Sequence, residues 1–219
     1  KLNLKELKPE QILTGAADVP TNLPSLPFDE RLCIVWLLLQ RIYTMGEAYA
    51  EQQKLSDSLN FFTDGLGQGT TTGSVEQLTT LIDDRLESRR RSLMVRKENG
   101  LLDAKEEERE QQLFKVIRTC REAIRTDGAA DAFPRKSEQE RSQAERQREE
   151  LTAAMKNGTA FVREAFGEKQ ELVIYLTGLR EHPVCKKILK EELPELYSEA
   201  EQLLNAGSRE EELRRRLNS

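Results

Sequence analysis

At four places that follow a loop-forming stretch, a Ser or Asp is followed three residues later by Glu or Gln: Ser74–Gln77, Asp103–Glu106, Ser137–Glu140 and Ser208–Glu211. In that arrangement the first side chain accepts a hydrogen bond from a free N–H of the opening helical turn. The second reaches back to the first residue's own N–H. One such pair arises easily by chance, but four, each after a loop-forming stretch, commit the chain to helices. No segment alternates with period two for long enough to make a strand. The expected fold is all-α, an elongated multi-helix bundle of about seven or eight helices.

The helices can be placed from their stops and apolar faces. Residues 1–28 read as an arm punctuated by Pro9, Pro20, Pro24 and Pro27, with a short helix over Pro9–Leu13 and an extended stretch from Asp18 to Pro27. The first long helix is expected from Asp29 to about Thr63. Its first half is apolar nearly all round, which predicts a central buried helix with Trp36 in the core and Cys33, like Cys120, as an inert core thiol. A glycine-rich connector, Gly65–Gly73, leads to a helix that opens at Ser74 and stops at Asn99-Gly100. The following helix opens at Asp103 and carries Leu113, Ile117, Cys120 and Ile124 at 4–3–4 spacing, the seam of a coiled coil. Together these predict a long helical hairpin over 75–126.

Residues 127–136 read as a loop and Ser137 as the next helix start. That helix is polar until Leu151, so its first turns are expected to stand in water or touch a partner. Asn157-Gly158 is expected to kink or split it, and Gly167 to end it. Short helices follow over 168–181, from Pro183, and from Pro194 to a stop at Gly207, with a terminal helix over Arg209–Leu217. The domain reading is an arm (1–28), a long-helix bundle containing the hairpin (29–166) and a small helical cap (167–219).

Charge narrows the function classes. Thirty-four basic and 39 acidic residues, a net charge of −5, are interspersed along the helices. That describes a salt-bridged surface and argues against nucleic acid as a partner. The most apolar run, Leu32 to Leu39, is far shorter than the about 20 residues a membrane span needs. Three scattered cysteines with no CxxC point to a reducing, cytoplasmic setting. The first residue is Lys1 rather than Met, and the expectation is a piece of a larger protein.

Few residues carry a chemical signal. The densest charge feature is Arg85, Arg89, Arg90, Arg91, Arg96 and Lys97, which could grip phosphates or an acidic partner. The competing reading pairs these cations with Glu106, Glu107, Glu108 and Glu110 across the hairpin. The Gly65–Gly73 loop lacks the Lys-Ser/Thr of a phosphate loop and follows a helix rather than a strand, so it reads as a connector. His182, the single histidine, reads as a surface or capping residue. No catalytic, cofactor-binding or metal-ligating residue is assigned.

The expected function is therefore a non-catalytic helical interaction or scaffold module. It would present helix faces to a protein partner, to another domain of its own chain or to a second copy. The alternative is a regulatory helical appendage of a nucleotide-driven or nucleic-acid enzyme, reaching phosphates through Arg85–Lys97. A further alternative is an enzyme with a pocket between helices.

Overall fold

The computed structural model describes residues 8–16, 23–67, 75–167 and 170–217. Its elements are α1 (Pro9–Leu13), a 3-10 turn (Leu23–Ser25), α2 (Phe28–Gly67), α3 (Val75–Glu98), α4 (Ala104–Asp127), α5 (Ala132–Phe166), α6 (Gln170–Glu181), α7 (Pro183–Glu192) and α8 (Pro194–Leu217). The fold is an all-α multi-helix bundle, with no strand among the described residues.

The chain divides into two compact units: residues 1–50 with 146–219, and residues 51–145. The boundaries fall inside α2 and α5. These units differ from the arm, bundle and cap marked out on the sequence, which placed its boundaries in loops.

In the first unit the buried side of α2 (Ile34, Val35, Leu38, Leu39, Ile42) and the end of α5 (Leu151, Met155, Val162, Phe166) form the core with α6 and α7. Glycine sets the close approaches. A Cβ on Gly158 would lie 2.1 Å from the Tyr175 hydroxyl, and one on Gly178 would lie 2.6 Å from Leu39 Cδ1. Tyr43 donates its hydroxyl to the Gly178 carbonyl at 2.7 Å. Arg31 and the buried Glu171 approach to 3.0 Å, although their facing atoms are misaligned for a hydrogen bond.

In the second unit a single cluster joins Leu59 and Phe62 of α2, Ile82 and Leu86 of α3, Leu113, Ile117, Cys120 and Ile124 of α4, and Phe133 of α5. Every apolar position of the predicted α4 seam is in it.

Several expectations are corrected. Trp36 is 54% exposed, Leu37 is 40% exposed and Cys33 is also on the surface. The apolar start of α2 is therefore buried on one side only, because a helix with neighbours on one side leaves its far face in water whatever that face contains. α5 begins at Ala132 instead of Ser137. Pro134 falls in the first turn, where a missing N–H costs nothing. Ser137 and Glu140 lie inside the helix and are buried, as is Ala144, so this segment is no solvated stalk. α5 also continues unbroken through Asn157-Gly158, and α8 through Gly207. A lone helical glycine costs only about 1 kcal/mol. The Asp103 cap forms as expected, with its Oδ1 accepting from the Glu106 N–H at 2.7 Å. Ser74 lies outside the described residues, as do residues 68–73 of the glycine-rich connector.

Candidate docking surface on the helical hairpin

The α3–α4 turn closes on Gly100, whose φ of 66° is one that L side chains rarely adopt. The Gly100 N–H donates to Lys97 O at 3.1 Å and the Leu101 N–H to Arg96 O at 2.8 Å, satisfying carbonyls left free at the helix end. From this turn the helices run back antiparallel in a fixed register, and the register explains the basic cluster.

Three rungs cross the outer face of the hairpin. At the tip Lys97 pairs with Glu107. Seven residues further along each helix, the Arg90 guanidinium lies over the Phe114 ring, 5.7 Å from its centroid. Seven residues further again, Arg121 makes a two-bond pair with Asp83 at 2.5 and 2.6 Å. The Asp83 hydrogen bond is the main cause holding the Arg121 pKa above its ordinary value. A seven-residue repeat is what keeps successive positions of two antiparallel helices facing each other.

The rest of the cluster is also engaged. Arg89 grips the buried Glu110 with both arms, at 2.6 and 2.7 Å. Arg96 pairs with Glu106 at 2.8 Å, a contact that raises its pKa, and donates to the Leu101 carbonyl. Arg91 meets Glu87 one turn back at 3.1 Å. Arg85 donates to Phe62 O at 3.4 Å. Nearby, burial works to raise the Glu51 pKa, but hydrogen bonds from Lys54 and Arg109 outweigh it and hold the pKa down. Of the six sequence candidates, Arg90 has an aromatic ring in place of an anion.

The tip of the hairpin reaches past the hydrophobic cluster. Its side chains Met94, Val95 and Leu101 are 63%, 56% and 66% exposed. Between Lys97–Glu107 and Arg90–Phe114 lies an open apolar groove of about 290 Å³ floored by Leu93, Met94, Leu102 and Phe114. These residues are not among the sequence-based candidates. Their signal was present in Leu93-Met94-Val95 and Leu101-Leu102, which put more apolar side chains around the turn than one inward face can hold.

His182 caps α7. Its Nδ1 accepts from the Cys185 N–H at 3.4 Å and its ring stacks on Tyr43, with centroids 4.6 Å apart. Burial lowers its pKa. Burial also pushes the Cys185 thiol up to about 12 and raises that of Cys120, so neither supplies a thiolate near neutral pH. Among the described residues no group of three or more His, Cys, Asp or Glu side chains is placed to hold a metal ion. No helix in the described residues is long and apolar enough to cross a membrane. Compared with known proteins, the chain matches no family model, no curated protein and no solved structure.

Proposed function

We propose that this chain is a non-catalytic helical interaction module of the cytoplasm, and that it engages a protein partner through the outer face of the α3–α4 hairpin. The observation that carries this reading is the exposed apolar tip, Met94, Val95 and Leu101, beside an apolar groove that no described side chain fills. Large exposed apolar surface is a common mark of a protein interaction site, and Met94 both stands exposed and lines the groove. Methionine suits the task, because its flexible thioether adapts to a partner's shape. Two buried thiols with raised pKa values and no pairing among the three cysteines agree with a reducing setting.

The phosphate-binding alternative draws less support. Its guanidinium groups, Arg90 apart, are spent within the protein on Glu110, Glu87, Glu106 and a backbone carbonyl. A phosphate would have to displace those partners and leave Glu110 buried without a cation.

A photo-crosslinking amino acid at Met94, compared with one at exposed Glu138, tests the reading in cells that make the protein. A discrete adduct from Met94, absent from Glu138 and lost in a Leu101→Glu background, is the expected result. Equal labelling from both positions, or none from either, overturns it.

A further inference from the structure

Building on the interaction reading, we infer that the outer groove of the hairpin takes an acidic amphipathic helix. Its apolar stripe would lie over Leu93, Met94 and Phe114, and its carboxylates against Arg90 and Arg118.

The shape argument comes from the rungs. The groove runs along α3 from Asp83 to Lys97, a separation of about 14 residues or about 21 Å at the α-helical rise. It is bounded at each end by an ion pair, Asp83–Arg121 and Lys97–Glu107. Two depressions make up its length, the apolar one at the tip and a polar one of about 590 Å³ toward the base, and Arg90 lines both. Two antiparallel helices in heptad register offer such a groove to a third helix, whose side chains at every third and fourth position enter it.

The charge argument comes from counting what is already engaged. Glu107 is taken by Lys97, Glu110 by Arg89, Asp83 by Arg121, Glu87 by Arg91 and Glu122 by Arg125. Among the described residues Arg90 has only the Phe114 ring. Arg118, on the wall of the polar depression, has no ion pair among the described residues. Against these two open cations stands one open carboxylate, Asp84, at the base end. A guanidinium lying over a ring keeps its in-plane N–H donors free. A carboxylate delivered there, beside an apolar floor, makes a strong charge-assisted contact and fixes the register of the incoming helix. A free phosphate fits less well, since it cannot use the apolar half of the groove, lined by Leu93, Met94, Leu102 and Phe114.

The test uses two fluorescent synthetic peptides of about 18 residues, five helical turns. They share one leucine stripe and differ only in flanking Glu or Lys. Their binding to the full chain is read by anisotropy. The Glu peptide is expected to bind at least about tenfold more tightly than the Lys peptide. Arg90→Glu with Arg118→Glu should reverse that order, and Arg118→Glu alone should narrow it. Met94→Glu should abolish binding of both peptides while leaving the melting temperature unchanged. Equal binding, preference for the Lys peptide, or binding by neither overturns the inference. So does a doubled solution mass that Met94→Glu returns to monomer, which would make a second copy the occupant. In each of these cases the crosslink from Met94 decides whether the broader interaction reading stands. A partner adduct keeps it and loses only the acidic helix, whereas its absence removes both.

Discussion

The apolar start of α2 and the polar start of α5 look like opposites in sequence, yet each turns out to be half-buried. Over residues 32–39, α2 hides Ile34, Val35, Leu38 and Leu39 and leaves Trp36 and Leu37 in water. Over residues 132–145, α5 hides Phe133, Ser137, Glu140 and Ala144, a line at helical spacing with little apolar character after its first member. There the contact is made by small side chains and by hydrogen bonds. Glu140 pairs with Lys136 at 2.5 Å and accepts from Gln52 Nε2 at 2.5 Å. Which face of a helix is buried depends on what packs beside it. Composition sets only how favourable that burial is.

Truncations in the two buried faces should have the largest effects. Leu38→Ala in α2 and Phe133→Ala in α5 are each expected to cost about 3 to 5 kcal/mol, because both side chains are almost fully enclosed. Urea denaturation reads this, and a cost for Phe133→Ala well below that for Leu38→Ala would show the polar helix to be loosely packed. Next comes Ala144→Leu. In a close-packed face it should destabilise by about 1 to 3 kcal/mol, whereas on a solvated stalk it would be neutral.

A pH-dependent effect follows on the α2 side, where Tyr43 stacks on His182. The native pKa of His182 lies below its ordinary value of 6.5. Below pH 6.5 the unfolded chain therefore takes up a proton before the native chain does. Stability should hold above that pH, fall as pH drops through it and level off below the native pKa. His182→Asn, which keeps a capping side chain, should remove that part of the pH slope. The smallest effect is expected at Trp36. Trp36→Ser should change stability by less than about 0.5 kcal/mol, and the indole, the single tryptophan of the chain, should be readily quenched by iodide. Strong protection from quenching would mean that this face is covered.

Some helix ends and the α4 seam were legible from local rules, whereas two of the four capping pairs, Ser137–Glu140 and Ser208–Glu211, fall inside helices. Asp103 caps its helix, Gly100 and Gly167 take the left-handed conformation at helix ends, and the Leu113–Ile124 seam is wholly buried. Gly207 misled as a helix stop because a lone glycine inside a helix costs too little to end it. Trp36 misled because burial on one side of a helix requires a neighbour that the residues themselves do not name. The basic cluster was legible as a feature. Its pairing with the acidic run across the hairpin was legible too, and the register adds which cation takes which carboxylate: Arg89 with Glu110, Arg96 with Glu106 and Lys97 with Glu107.

The claim that those arginines are spent inside the hairpin is tested most directly by a double-mutant cycle on Arg89→Ala and Glu110→Ala, read as unfolding free energy. The two-bond geometry and the enclosed Glu110, whose side chain is 8% exposed, predict a coupling of about 1 to 3 kcal/mol. A coupling near zero would contradict the account, because it would leave Arg89 free for a ligand and return the cluster to the list of candidate phosphate sites.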